Sequence, residues 1–134
     1  MKPVIIWQGG KRQLINHLAT LTPASFKKYH EPFVGGGALF FDIERIGSRI
    51  SDLNPELINF YRVLKNEPIK LMRCIDRFND DEDTFYQLRA WDRNPNYKKK
   101  YSKIRRAARF LYLNRRCYAG GWKIRKDGKF SGSH

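Results

Sequence analysis

Three consecutive glycines, Gly35, Gly36 and Gly37, interrupt the string HEPFVGGGALFF at residues 30–41. A glycine run between a strand and a helix lets backbone amides approach a nucleotide-like ligand, because no Cβ stands in the way. Asp52 follows Gly35 by 17 residues, and an acid at the end of the next strand accepts hydrogen bonds from ribose hydroxyls. Together they point to an adenosine-containing cofactor. The run is not G-x-x-x-x-G-K-[ST], so a nucleoside-triphosphate loop is not expected; Gly35 and Gly37 supply only the first half of G-x-G-x-x-G. Lys11, with close-approach amides at Gly9 and Gly10, offers donors for a carboxylate, and Glu31 offers an acceptor for an ammonium. That balance suits S-adenosylmethionine better than NAD, and no residues for hydride transfer stand out.

A second chemistry is written in the charge. The chain of 134 residues carries a formal net charge of +14. From Tyr97 to His134 there are 13 lysines and arginines against one acid, Asp127. Such asymmetry, interleaved with aromatics, suits a polyanion, and nucleic acid is the expected partner. The cysteines, Cys74 and Cys117, form no CxxC or Cys/His cluster, so neither zinc nor a disulfide framework is expected and no metal ligands are assigned. With no long apolar run and no signal-peptide pattern, the reading is a cytoplasmic protein without membrane attachment.

The elements that must position these residues follow from periodicity. WQGGKRQLINHLATL reads as a Gly-Gly loop and a helix whose buried side is Leu14, Leu18 and Leu21. KKYHEPFV predicts a strand ending at the glycines, GALFFDIERI a helix, and SRISDLN a second strand. Asn54 and Pro55 form an N-cap and first position for the helix PELINFYRVLK. The alternation predicts an α/β part with a parallel sheet over residues 1–66. Residues 67–134 predict a basic, mostly helical part: two short helices flank the acidic string DDED, then one longer helix spans YKKKYSKIRRAARFLYLNRR. Tyr101, Ile104, Ala108 and Leu111 form its apolar stripe. YAGGWKIRKDGKFSG predicts a β-hairpin turning at Asp127-Gly128.

Four strings, WQGGKRQL, EPFVGGGALFF, SDLNPELINFY and RFLYLNRRCYAGG…DGKF, follow in order the motifs of the Dam-type DNA adenine N6-methyltransferases with a D12-class catalytic domain. The chain resembles that family from Trp7 to about Phe130. The resemblance implies a partial Rossmann-like S-adenosylmethionine-dependent methyltransferase fold, with residues 1–66 holding the cofactor and 67–134 recognising double-stranded DNA. It implies that Trp7, Gly9, Gly10 and Lys11 contact S-adenosylmethionine from the first loop. Glu31, Pro32 and Phe33 then lead into a floor made by Gly35, Gly36 and Gly37, while Asp52 holds the adenosine. The hairpin after FLYLN would enter DNA, with Tyr118 filling the gap left by a flipped base. Trp122 either stacks on a base or pins the hairpin to its helix. For Arg115, Arg116, Lys123, Arg125 and Lys126, phosphate contact is the commoner role.

Departures from the family's pattern matter as much. Ala119 replaces the asparagine usual in GATC-specific enzymes, and Lys123 stands where an arginine reads guanine, without the bidentate fork. Methylating adenine N6 also requires acceptors that hold the flipped amine toward the methyl donor. The family does this with D-P-P-Y, and these residues contain no such motif. NPNY at Asn94–Tyr97 precedes FLYLN rather than following it, and no strand delivers it. No catalytic residue is therefore assigned. The expectation is an N-terminal portion of such an enzyme, inactive alone: a truncated gene product, one half of a split enzyme completed by a complementary C-terminal fragment, or a piece of a longer sequence. The alternative is a non-catalytic DNA-binding protein derived from one.

Overall fold

The computed structural model describes residues 2–134 and divides into two compact units, Met1–Leu53 and Asn54–His134. The first unit holds a parallel pair of short strands, β1 (His30–Glu31) and β2 (Arg49–Ile50), with His30 opposite Arg49 and Glu31 opposite Ile50. The ladder is longer than these residues, since Arg49 donates to the Tyr29 carbonyl at 3.0 Å, Ser51 to Glu31 at 2.9 Å and Val34 to Ser51 at 3.0 Å. Two helices accompany it, α1 (Ile15–Leu21), preceded by a 3₁₀ turn at Lys11–Leu14, and α2 (Ala38–Ile43). The parallel pairing inferred from strand–helix alternation is present as a two-stranded sheet in a helix-rich chain.

The leucines assigned to the buried side of the first helix are placed differently. Leu14 is 49% and Leu21 67% exposed, and Leu18 is half-buried. Helical spacing marks a common face, but burial needs something to cover that face. Two-residue strands provide no broad sheet surface, and Ile5 and Val34 are the buried hydrophobic residues of this unit among those described.

The second unit has a conventional core. Helix α3 (Pro55–Asn66) begins as its sequence dictates: Asn54 Oδ1 accepts from the amides of Glu56 and Leu57 at 3.0 and 3.2 Å, with Pro55 at the first position. Then follow α4 (Pro68–Ile75) and α5 (Glu82–Ala90), the latter capped by Asp81, which accepts from the Thr84 amide at 2.7 Å. The single long helix expected next is two helices, α6 (Tyr97–Lys100) and α7 (Lys103–Arg116). The break lies at Tyr101-Ser102, where Tyr101 is extended and the Ser102 hydroxyl accepts from the Arg105 amide at 3.3 Å. A serine at an N-cap satisfies an orphan amide, which a continuous helix would not need. The expected stripe holds at Tyr101 and Ala108, which are buried, but not at its other two members. Ile104 and Leu111 are only half-buried, whereas Ala107, Phe110 and Leu113 are fully enclosed against α3 and α4.

The C-terminal hairpin is narrow. Ile124 bridges Phe130 in antiparallel fashion, Arg125 donates to Lys129 at 2.8 Å, and Ser131 donates to Lys123 at 2.9 Å. Its turn closes through the Gly128 amide on the Arg125 carbonyl, with Gly128 left-handed at φ 76°. The expected Asp-Gly turn chemistry is thus in place, although the strands are minimal.

Candidate functional sites

In the first unit, three of the sequence motifs meet. The Gly35 amide donates to Asp52 Oδ2 at 3.0 Å, tying the glycine loop to the acid 17 residues later. Gly35, Gly36 and Gly37 are buried, and the Trp7 indole lies against them. A Cβ on Gly35 would sit 2.8 Å from Trp7 Cδ1 and Nε1, and one on Gly36 3.0 Å from Trp7 Cβ. Glycine is therefore required by contact as well as by the left-handed φ of 47° at Gly35 and 70° at Gly37. Gly10 donates to the Trp7 carbonyl at 3.1 Å and closes a tight turn. Lys11 is exposed, its Nζ donating to the Gly9 carbonyl at 2.9 Å.

Glu31 is half-buried, and its Oε2 accepts from the Tyr29 hydroxyl at 2.7 Å. Burial pushes the Glu31 carboxyl above its ordinary value, while that hydrogen bond pulls it back. Burial and the neighbouring carboxylate both raise the Tyr29 phenol. Pro32 is exposed, and its carbonyl accepts from the Ser51 hydroxyl at 3.2 Å. Phe33 is 78% exposed, a large apolar ring beside the loop. Tyr29 is the residue that sequence reasoning passed over; its signal was an aromatic two positions before Glu31, on the same strand face.

In the second unit the hairpin residues separate into two groups. Trp122 is buried, its ring 4.3 Å from that of Phe110 and 4.6 Å from that of Phe130. Its packing is that of a pin between hairpin and helix. Tyr118, 74% exposed, stands outside that core. Arg115, Arg125 and Lys126 are exposed, and half-buried Lys123 donates from Nζ to the Tyr118 carbonyl at 3.5 Å. Arg125 Nε is 3.9 Å from Asp127, a loose surface pair. Arg116 pairs with Asp80 and lies 4.6 Å over the Tyr112 ring, which fixes it against α7.

Two further arginines join Arg125. A cavity of about 270 Å³ is lined by Tyr86, Arg89, Ala90, Arg93 and Arg125. The Arg89 Nε is buried without a hydrogen-bond partner. Arg93 donates to the Phe130 carbonyl at 2.6 Å. Guanidinium groups gathered in a concavity suit an oxyanion, which accepts several N–H donors at once. The sequence held the signal: Arg89 and Arg93 are four apart across the end of α5 and so share a face.

At the base of the hairpin, Ala119 is left-handed at φ 60°, followed by Gly120 and Gly121 at 68° and 97°. A non-glycine residue there is strained, and asparagine, the residue type usual in the resembled family, tolerates it better than alanine. Ala119→Gly is expected to raise stability by about 0.5–1 kcal/mol, the strain relieved less the extra freedom of the unfolded chain. A chemical denaturation curve of the variant tests this, and an unchanged or lowered midpoint would refute it.

A family model described as D12 class N6 adenine-specific DNA methyltransferase matches residues 7–133. The chain is 35% identical over 133 residues to the type II methyltransferase M1.LlaDCHI of Lactococcus lactis subsp. cremoris, covering 98% of this chain and 46% of that protein. It is 34% identical over 130 residues to the DNA adenine methylase of Serratia marcescens, covering 93% of this chain and 46% of that one. The DNA N-6-adenine-methyltransferase of Escherichia phage P1 is 35% identical over 130 residues, 97% of this chain and 17% of that protein. The chain spans about half the length, or less, of the curated relatives it matches. With that family model matched over residues 7–133, nearly all of its length, this chain belongs to the D12 class N6 adenine-specific DNA methyltransferases.

Proposed function

We propose that these residues are the cofactor-loop and DNA-contacting portion of an enzyme that methylates adenine N6 in double-stranded DNA. Residues 1–66 are the start of a Rossmann-like sheet, and 67–134 the target-recognition part. The observation that carries the reading is the Gly35-to-Asp52 hydrogen bond with Trp7 packed on the same glycines, because it unites three separate motifs around one loop. S-adenosylmethionine, when bound, supplies an electrophilic methyl on its sulfonium. Gly35 and Gly36 keep side chains off the loop, Trp7 backs it, and Asp52 accepts from the ribose. Lys11 and Glu31 take the two ends of the amino-acid zwitterion.

On the DNA side, Arg89, Arg93 and Arg125 grip a backbone phosphate, and exposed Tyr118 enters the stack beside a flipped base. Charge alone does not deliver methyl transfer. The adenine amine must be held by acceptors of the D-P-P-Y type, which these 134 residues do not contain. The 134 residues by themselves are therefore expected to bind without turnover. A segment carrying that motif, continuous with them or separate, restores activity.

Calorimetric titration with S-adenosylmethionine, with NAD as the comparison, tests the cofactor half. Binding of the first alone, weakened in Asp52→Ala, is the expected result; no binding, or equal binding of both, would sink it. Titrating duplex DNA across a salt series tests the other half. Arg125→Gln is expected to make the slope of log K against log salt shallower by about 1, the loss of one phosphate contact. A slope identical to that of the parent chain would remove Arg125 from the interface.

A further inference from the structure

A second cationic recess adjoins the Asp92-Arg93 segment. A cavity of about 400 Å³ is lined by Asn94, Asn96, Lys98, Lys99 and Lys129, with Asp92 at its wall. We propose that this recess binds a second stretch of DNA backbone, separate from the phosphate held by the arginine cavity. The assignment rests on the DNA-binding reading above.

Its only acid is already neutralised. Asp92 takes Arg93 on one oxygen, and on the other both Arg109, at 2.9 Å, and the Phe130 amide, at 2.8 Å. Lys98 and Lys99 form no ion pair among the described residues, and both are exposed. Lys129 is 3.6 Å from the surface carboxylate of Asp127, a contact of the kind that contributes little. Two exposed ammonium groups without an ion-pair partner and a third only loosely paired leave the recess with an excess of positive charge, which a polyanion offsets.

The lysines are also held in place. Helix α6 is fixed at Tyr97, buried and donating to Glu56 at 3.0 Å, and the chain just beyond it at Tyr101, buried and stacked on Trp91 at 3.9 Å. Lys98 and Lys99 therefore stand on a rigid turn rather than a loose tail. Asn94 Oδ1 accepts from the Asn96 amide at 2.8 Å, which orients the Asn94 side chain by that acceptor. Point charges on a fixed frame, with no guanidinium fork, suit the sequence-independent backbone rather than base edges.

Fluorescence anisotropy of the whole chain against a short duplex and one twice as long tests the proposal. The triple variant Lys98→Gln, Lys99→Gln, Lys129→Gln is expected to make the salt slope on the longer duplex shallower by about 2–3. Affinity for the short duplex, which reaches the arginine cavity only, is expected to stay the same. A companion variant, Lys98→Gln with Lys99→Gln, leaves the hairpin untouched and is expected to lose about 2 of that slope. An unchanged slope in both variants, while Arg125→Gln weakens both duplexes, overturns the second contact and leaves the DNA reading standing. Failure of the parent chain to bind either duplex overturns both. If the triple variant instead loses polyglutamate binding and keeps its DNA slope, the recess belongs to an acidic peptide and the proposal falls.

Discussion

Arg109→Ala is expected to lower stability by about 3–5 kcal/mol, the cost of removing one partner from a buried ion pair. Arg109 is 1% exposed in the middle of α7. Its Nε donates to the Leu88 carbonyl at 2.6 Å, and its Nη2 reaches the Arg89 carbonyl at 3.1 Å and Asp92 at 2.9 Å. Its guanidinium also lies 5.7 Å over the Trp122 ring. The same Asp92 receives the Phe130 amide. One cation thereby joins α7, the end of α5 and the return strand of the hairpin. Removing it takes one of three donors from the half-buried Asp92 carboxylate and the guanidinium donors from the Leu88 and Arg89 carbonyls, at a site largely withdrawn from water. Urea denaturation followed by tryptophan fluorescence reads the loss, since Trp91 and Trp122 both sit in this unit. Arg109→Lys, which keeps charge but not the fork, is expected to fall between. A loss below about 1 kcal/mol would place Arg109 with surface pairs and undo the account.

Gly35→Ala is expected to be the most damaging change in the first unit. A left-handed alanine costs about 1–2 kcal/mol, and its Cβ would meet the flat, poorly yielding Trp7 indole at 2.8 Å. Either the indole leaves the glycines or Gly35 releases Asp52, and both dismantle the proposed cofactor floor. Affinity for S-adenosylmethionine is expected to drop about tenfold or more, since each 1.4 kcal/mol is a factor of ten. Gly47→Ala is the control. It has a similar backbone, φ 80°, with nothing within 4 Å of the added carbon, so it carries strain without collision. Thermal melts of the two variants separate the effects. Equal melting temperatures, with unchanged cofactor affinity in Gly35→Ala, would contradict the role given to the Trp7 contact.

Local rules wrote the parts of this molecule that the sequence disclosed. Asn54-Pro55 starts a helix because the side chain and ring act on their own neighbours. Asp127-Gly128 turns the hairpin for the same reason. The Gly35–Asp52 pairing was legible from spacing, because a strand–helix–strand unit brings those loop ends together. The motif order alone placed the chain in its family. What the sequence could not decide was which partners cover which faces. Leu14 and Leu21 keep helical spacing yet stay exposed, because a sheet of two short strands offers no broad face to cover them. The long basic helix breaks at Ser102, and its buried face keeps Ala108 and extends to Ala107, Phe110 and Leu113 once α3 and α4 pack on it. By position Trp122 could either stack on a base or pin the hairpin, and its packing makes it a core residue. Arg109, one of 27 lysines and arginines in the composition, becomes a structural centre only because carbonyls from a distant helix converge on it. Charge and glycine patterns act over a few residues and survive in one dimension; burial and convergence are set by contacts between residues far apart in sequence, so only the tertiary structure decides them.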